Sequence, residues 1–145
     1  MSDDDREGLF GLSGRRLLLV EDNDDCAEAV REWLEICGAH VTTAHTVGTA
    51  IAQSRGEVPD LLLVDVFLPD GTGWDVVDRV RASVPAAERL PAVAITGART
   101  PAVVRSARAH GVRHVITKPI APEALAAALT DCLEASSSAG ERPPS

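Results

Sequence analysis

The sequence predicts an α/β fold built on a doubly wound, five-stranded parallel sheet. Two observations support this prediction. Short apolar runs alternate five times with segments whose apolar residues recur at helical spacing, which is the pattern of repeated strand–helix units. The third apolar run, residues 61–64, contains no polar residue and is typical of a strand buried on both faces of a parallel sheet. Short connections and right-handed crossovers favour the strand order 2-1-3-4-5.

The five predicted strands are short apolar segments. In chain order they span residues 17–20, 40–43, 60–65, 91–95 and 113–117. The third strand is expected at the centre of the sheet, and the second is expected near an edge, outside the first.

The predicted helices begin at side chains that can cap an N-terminus. The capping residues are Asn23 or Asp24, then Thr46, Thr72 and Thr100. Thr72 and Asp75 have the spacing of a capping box. The fifth helix is opened by Pro122 and has Ala121 at the cap position, which costs about 1 kcal/mol relative to a capping side chain. The first, second and fourth helices end at Gly38, Gly56 and Gly111.

The length of 145 residues is sufficient for one domain with a hydrophobic core and short for two. We expect a flexible acidic extension at residues 1–14, the folded domain at residues 15–135 and a disordered tail at residues 136–145. No apolar run approaches the roughly 20 residues of a transmembrane helix, and the acidic N-terminus is unlike a signal peptide. These features predict a cytoplasmic protein that does not bind a membrane.

Charge and cysteine content argue against two further classes of function. The formal net charge of −8 argues against DNA binding as the main activity, because phosphate contacts require a basic surface. Cys26, Cys37 and Cys132 lack the spacing of zinc ligands or of a redox pair. We expect them to be reduced and to pack against other residues.

Polar side chains follow four of the predicted strands. Glu21 and Asp22 end the first strand, Asp65 the third, Thr96 the fourth and Lys118 the fifth. Because parallel strands end at the same edge of a sheet, we expect these five side chains to converge on one pocket. Each of them alone is compatible with an ordinary strand end or turn, but their joint arrangement predicts a functional site.

The chemistry of this set favours phosphoryl transfer. Two like charges 4 Å apart repel by about 4 kcal/mol at an effective dielectric constant near 20, so three carboxylates beside one ammonium favour a bound cation. Mg²⁺ suits a site with few carboxylates and several waters. A carboxylate beside Mg²⁺ can attack phosphorus, and the ion, a lysine and a hydroxyl can bind the phosphoryl oxygens in the transition state.

Residues 15–135 resemble the receiver domain of two-component response regulators. The matching motifs are Glu21-Asp22-Asn23, the stretch from Asp65 through Pro69 to Gly73, Thr96-Gly97 and Lys118-Pro119. The motifs occur in the order and at the spacing of that family. The resemblance implies a flavodoxin-like (βα)5 fold with strand order 2-1-3-4-5, and a signalling domain rather than an enzyme.

The resemblance implies that Asp65 accepts a phosphoryl group from a histidine kinase or a histidine phosphotransfer protein. It also implies a Mg²⁺ site around this residue. Asp22 and Asp65 would bind the ion directly, and the backbone carbonyl of Phe67 would be a further ligand. Glu21 would act through a water molecule.

The resemblance gives roles to two further residues. Lys118 would pair with the phosphoryl oxygens. Thr96 would swing its hydroxyl toward the phosphate and pull the loop after the fourth strand with it. The added charge would then alter the surface of helix 4, strand 5 and helix 5, which would bind a downstream protein that the sequence does not identify.

The sequence departs from the family pattern in two places. Three residues before the lysine the family usually has Tyr or Phe, but this chain has Val115 and contains no Tyr. The aromatic ring that turns inward on activation is therefore missing. Phe67 and Ala98 flank the acceptor site where many family members carry polar groups. We expect Phe67 to restrict the attacking water and to make the phosphate long-lived.

The sequence leaves other functions open. A Mg²⁺-dependent phosphatase of the haloacid dehalogenase type uses similar residues, but it needs a second acid two residues after the nucleophile, where Phe67 stands. A constitutive interaction module that is not phosphorylated is compatible with Val115. A flavin-binding protein is less favoured, since no phosphate-cradling loop follows the first strand. A group of arginines is either a solvated face or a docking patch for an acidic partner. Its members are Arg99, Arg105, Arg108 and Arg113.

Overall fold

The computed structural model describes residues 11–84 and 89–141, with side chains up to residue 134. The strands of the main sheet are β1 Arg16–Val20, β2 His40–Ala44, β3 Leu61–Asp65, β4 Ala92–Thr96 and β5 His114–Thr117. The helices are α1 Asp24–Ile36, α2 Val47–Gly56, α3 Gly73–Ser83, α4 Pro101–Ala109 and α5 Pro122–Glu141. Among the described residues, no helix is both long and apolar enough to cross a membrane.

The main sheet has the predicted topology. Its neighbouring strands are all parallel, in the order β2-β1-β3-β4-β5. At its centre, Leu63 of β3 is level with Leu19 of β1 and Val93 of β4. The α/β fold, the parallel sheet and the strand order 2-1-3-4-5 are therefore confirmed.

Helices cover both faces of the sheet, so successive residues of β3 enter different cores. Leu62 and Val64 pack in a core with α2, α3 and α4. Leu61 and Leu63 pack in a second core with α1 and α5. All five residues of β3 are buried, which explains why the strand shows no polar alternation.

The predicted helix caps are present. The side chain of Asn23, rather than that of Asp24, accepts a hydrogen bond of 2.8 Å from Cys26 N. The capping box at α3 has both of its hydrogen bonds, at 2.9 and 3.3 Å. Gly38 follows α1 at a φ of 97°, in the left-handed region that glycine adopts readily. The caps of α2, α3 and α4 are Thr46, Thr72 and Thr100.

The folded part extends further than predicted at both ends. Leu12 is fully buried in the core of α1 and α5, so packing begins before residue 15. An isolated leucine between glycines gives no periodic signal, which is why it was assigned to the extension. α5 continues to Glu141, past residue 135. The stretch from residue 135 to 141, rich in Ala and Ser, contains no proline that would stop a helix. Residues 1–10 and 142–145 of the predicted extension and tail lie outside the described residues.

A short hairpin between β3 and α3 was not predicted. Its strands, Phe67–Leu68 and Gly71–Thr72, are antiparallel and contain two residues each. Apolar alternation cannot be recognised over so few residues. The hairpin carries the chain from the end of the central strand to the cap of α3.

The cysteines have the expected packing role. Cys37 and Cys132 are buried, Cys26 is half-buried, and all three are free thiols. Burial raises the pKa of the Cys132 thiol to about 11, so this residue stays uncharged at neutral pH.

Gly73 begins α3 where the helix approaches the end of β3. A Cβ atom at this position would lie 2.5 Å from the carbonyl oxygen of Asp65 and 2.9 Å from Cγ2 of Val64. We expect Gly73→Ala to lower the free energy of unfolding by about 2 kcal/mol, as overpacking of a core does. Urea denaturation measures this loss. The control is Gly56→Ala at the end of α2, where the added methyl group has no atom within 4 Å. Equal stabilities of the two variants would contradict the prediction.

Candidate functional site

The end of β1 places one acid inside the protein and one at its surface. Glu21 is fully buried, whereas Asp22 is exposed. Glu21 Oε1 accepts a hydrogen bond of 3.0 Å from the backbone N–H of Asn23, the cap of α1. Burial raises the pKa of Glu21, and the charge of Asp65 adds to the effect, whereas the hydrogen bond with Lys118 opposes it.

Asp65 is the last residue of β3, at the carboxyl edge of the sheet. It is 6% exposed. Its Oδ1 accepts a hydrogen bond of 3.2 Å from the backbone N–H of Phe67, and its Oδ2 accepts one of 2.9 Å from Nζ of Lys118. Both carboxylate oxygens are therefore held in a fixed direction.

Lys118 joins the two buried carboxylates. Its Nζ lies 2.7 Å from Oε2 of Glu21 and 2.9 Å from Oδ2 of Asp65. Partial burial lowers the pKa of Lys118, but the hydrogen bonds and charges of both carboxylates outweigh burial and raise that pKa above its ordinary value. The ammonium is therefore charged at neutral pH. The close pairing with Glu21 was not anticipated from the sequence, which gave Lys118 a role toward the phosphoryl group.

The three predicted acids form one cluster. Glu21, Asp22 and Asp65 each contribute an oxygen, and these oxygens lie within 4.8 Å of one another. One ammonium cannot neutralise three carboxylates at such separations, so negative charge remains. Hard oxygen donors with an excess of negative charge fit a divalent cation such as Mg²⁺. The chemistry of the donor set therefore agrees with the predicted metal.

Phe67 lies beside this cluster, two residues after Asp65. Its backbone pairs with Thr72 in the hairpin, and its N–H binds Asp65 as described above. The residue is 64% exposed, so most of it is open to solvent. The use of its backbone carbonyl as a metal ligand stays a prediction.

Thr96 ends β4 and is fully buried. Its hydroxyl donates a hydrogen bond of 3.1 Å to the carbonyl oxygen of Ala98 and accepts one of 3.2 Å from Ala98 N–H. Its carbonyl oxygen accepts a hydrogen bond of 2.8 Å from the backbone N–H of Lys118. The backbone of Thr96 is thus tied to the site, while its hydroxyl is bound within its own loop.

Two residues that the sequence did not single out, His45 after β2 and Asp70 in the hairpin, link the site to neighbouring parts of the chain. Nδ1 of His45 lies 2.8 Å from the carbonyl oxygen of Glu21, and this nitrogen carries the proton because a carbonyl only accepts. Asp70, in the turn of the hairpin, accepts hydrogen bonds of 2.7 and 3.1 Å from the N–H groups of Val47 and Gly48. These two bonds lower the pKa of Asp70.

Val115 and the predicted arginine group lie on α4, on the edge strand β5 and in the loops beside them. Val115, on β5, is half-buried and packs against the core of α2, α3 and α4. Arg99 and Arg113 line one groove along β5, and Arg105 and Arg108 are exposed on α4 outside it. The structure therefore divides the predicted arginine group into two pairs.

Comparison with known proteins gives consistent matches along most of the chain. A family model described as the response regulator receiver domain matches residues 17–130. An uncharacterized 14.6 kDa protein of Leptolyngbya boryana is 35% identical over 77% of this chain and 84% of its own length. The probable transcriptional regulatory protein TcrX of Mycobacterium tuberculosis is 38% identical over 55% of this chain and 33% of its own length. The chain thus matches about a third of TcrX.

Solved structures share the fold. The chemotaxis protein CheY4 of Vibrio cholerae superposes with a TM-score of 0.77 at 26% identity, covering 83% of this chain and 99% of that protein. A CheY-like response regulator receiver domain protein of Methanospirillum hungatei gives a TM-score of 0.79 at 25% identity, covering 88% and 100% of the two chains.

Replacing the ammonium in the site tests its structural role. Lys118→Met leaves Glu21 and Asp65 without their shared cation. We expect the free energy of unfolding at about pH 8 to fall by about 2 kcal/mol, less than for a fully buried pair because the Lys118 side chain is 27% exposed. In this variant, the factors that raise the pKa of Glu21 act without opposition from the lysine.

The loss should depend on pH. A carboxyl whose folded-state pKa is raised destabilises the fold above its unfolded pKa, and protonation removes this penalty. Urea denaturation should therefore show a smaller difference between Lys118→Met and wild type at about pH 5 than at about pH 8. Lys118→Arg keeps the charge and is the control. A difference that does not vary with pH would contradict the electrostatic explanation.

Proposed function

The chain belongs to the response regulator receiver domain family, and from this we propose that it is a phosphorylation-driven switch in which Asp65 accepts a phosphoryl group from a histidine. The donor would be a histidine kinase or a histidine phosphotransfer protein. One observation carries the proposal: the buried Asp65 carboxylate lies 2.9 Å from the Lys118 ammonium and is clustered with Glu21 and Asp22. This is the arrangement that phosphoryl transfer to a carboxylate requires.

The proposed reaction is a transfer from nitrogen to oxygen. A carboxylate oxygen of Asp65 attacks the phosphorus of a phosphohistidine, the P–O bond forms as the P–N bond breaks, and the departing imidazole nitrogen takes up a proton. Lys118 is already charged, so it can follow the negative charge from the carboxylate to the phosphoryl oxygens. Its backbone bond to Thr96 holds it in position while it does so.

Asp22 and Asp65 would bind Mg²⁺ directly, with the backbone carbonyl of Phe67 as a further ligand and Glu21 acting through a water molecule. When bound, the ion neutralises charge on the phosphoryl oxygens and on the cluster. Asp22 is exposed and faces solvent, whereas Glu21 is anchored by Asn23 and Lys118. We therefore infer that Asp22 acts as a direct ligand and that Glu21 mainly sets the charge of the site.

Thr96 would transmit the phosphorylated state. To reach a phosphoryl oxygen, its hydroxyl must give up both hydrogen bonds with Ala98. The loop after β4 would then lose its local anchor and take up a new position. This loop leads directly into α4, so the surface formed by α4, β5 and α5 would change. We propose that an unidentified downstream protein binds that surface.

The competing functions have less support. A haloacid dehalogenase-type phosphatase would need an acid where Phe67 stands, and the acid of the hairpin turn, Asp70, is bound to the N–H groups at the start of α2. TcrX is named as a transcriptional regulator, but the match covers 33% of it, so its name carries no argument that this chain binds DNA. A constitutive module would need no phosphoacceptor, and the following experiment tests that possibility.

Phosphorylation can be tested without the natural donor. Acetyl phosphate with Mg²⁺ should add the mass of one phosphoryl group to the intact protein, and EDTA should prevent the addition. Asp65→Asn should not gain this mass. Asp25→Asn removes an exposed acid in the first turn of α1 and should still gain it. An adduct that persists in Asp65→Asn would contradict the assignment, whereas rapid release of phosphate with turnover would favour the phosphatase.

Phe67 is expected to slow the loss of the phosphate by shielding it from water. Phe67→Asn should shorten the half-life of the phosphorylated protein several-fold, because the amide admits and can orient a water molecule. The decay of the intact-mass adduct after removal of acetyl phosphate measures this rate. Ile36→Asn is a matched control, since Ile36 is also an exposed apolar residue, at 68%, but lies at the end of α1. An unchanged half-life in Phe67→Asn would exclude the shielding role.

A further inference from the structure

One long segment of this acidic chain contains no acidic residue. Between Leu90 and Pro122 there are four arginines, one lysine and two histidines, but no Asp or Glu. The whole chain has a formal net charge of −8, so the negative charge is concentrated elsewhere. The segment comprises β4, α4 and β5 and their loops. Lys118 is paired with Glu21 and Asp65, so the four arginines, all exposed, are the charges that make this side of the molecule basic.

Part of this basic side is a groove beside the edge strand β5. The groove has a volume of about 470 Å³ and is lined by β5 and by the exposed side of α5. Arg99 and Arg113 lie at its rim. Arg113 has a distant ion pair with Asp131, at 3.6 Å, while no salt bridge involves Arg99 among the described residues. Asp131 also lies 2.7 Å from Nε2 of His114, so it compensates part of the charge of Arg113, whereas the charge of Arg99 is left without an ion pair in the described part of the chain.

Small apolar side chains form much of the groove lining, beside His114 and Thr117. Val115 and Ile116 contribute from β5. Ala121 contributes from the loop before α5, and the helix contributes Ala124, Ala127 and Ala128. Because residue 115 is a valine and not a large aromatic residue, it leaves the space above it open, and the ring of His114, which also lines the groove, is bound to Asp131. A large apolar side chain from another molecule can fill it and be buried there.

We propose that this groove binds an acidic segment of a partner protein that inserts one large apolar side chain over Val115. Carboxylates on either side of that anchor would pair with Arg99 and Arg113. Nucleic acid is a poorer occupant, because the groove is apolar inside and the rest of the molecule repels phosphates. The proposal names the chemistry of the downstream partner and so rests on the proposed function.

The groove is also linked to the phosphorylation site. Arg99 follows Ala98, whose backbone N–H and carbonyl bind the Thr96 hydroxyl. A change in those two bonds would move Arg99 relative to Arg113, which is fixed at the start of β5. Phosphorylation at Asp65 would therefore alter the spacing of the two charges that the partner recognises.

Selection from a library of short random peptides displayed on phage, with the intact chain as bait, tests this chemistry. Enriched peptides should be acidic and should share one large apolar or aromatic residue. A synthetic copy of the most enriched peptide should bind about tenfold more weakly to Arg99→Glu/Arg113→Glu. Arg55→Glu, an exposed charge reversal at the end of α2, should bind like wild type.

Filling the groove should have the same effect as reversing its charge. Val115→Trp should weaken peptide binding about tenfold by occupying the apolar space. Ala124→Leu is a second variant that should fill the groove from an exposed position on α5, so the test does not depend on correct folding of Val115→Trp. Peptides without acidic bias, no enrichment, or equal weakening by Arg55→Glu would overturn the proposal.

The other occupants have distinct signatures. A dimer in analytical ultracentrifugation that dissociates in Arg99→Glu/Arg113→Glu would show that a second copy occupies the groove and would overturn the proposal. Binding of a DNA duplex that is lost in the same variant would also overturn it. Measuring the acetyl phosphate adduct on the same preparations distinguishes failure of the partner proposal from failure of the proposed phosphorylation. If acidic peptides bind but the protein forms no adduct, the partner proposal is supported and the proposed phosphorylation switch is contradicted.

Discussion

The shared contact of Lys118 with Glu21 and Asp65 is the interaction on which the site depends. The two carboxylates are brought together by parallel β1 and β3, and their mutual repulsion is offset by an ammonium at 2.7 and 2.9 Å. This compensation is incomplete, because Asp22 adds a third negative charge to the same cluster. The fold thus holds the acids together although one ammonium does not neutralise them, and the remaining negative charge favours binding of a divalent cation.

The support around this contact is uneven. Beside the acidic cluster, His45 is hydrogen-bonded to the Glu21 carbonyl, and Asp70 ties the hairpin to the start of α2. The loops that follow β1, β2 and β3 are therefore linked to one another. On the other side, the Thr96 hydroxyl is bonded only within its own loop among the described contacts. The far end of α4 is fixed, since Arg81 donates to the carbonyl of His110, whose ring stacks on Trp74 of α3. Movement is therefore expected at the start of α4, next to Thr96, rather than at its end.

The sequence predicted those parts of the molecule that local physics determines. The unbroken apolar run before Asp65 predicted a central strand, and the threonines before α2, α3 and α4 predicted caps, because each signal lies within a few residues. The clustering of the three acids with Lys118 followed from parallel topology, whereas Thr96 joins them through its backbone carbonyl and not through its hydroxyl. The bracing by His45 and Asp70 could not be predicted, since each contacts a residue more than twenty positions away through ordinary backbone groups. The burial of Leu12 was not predicted, because the residues around it show no apolar periodicity.

Val115 changes how a signal can leave this domain. An aromatic residue at that position would couple the site to the surface by moving between a buried and an exposed state. A valine is too short and too restricted about its χ1 angle to make such a movement. If the chain is the switch proposed here, the coupling would pass through backbone displacement of the loop from Thr96 to Arg99, which is held by the bonds between the Thr96 hydroxyl and Ala98. On that proposal the partner would respond to the position of Arg99 beside the groove of β5, instead of to a rearranged aromatic side chain.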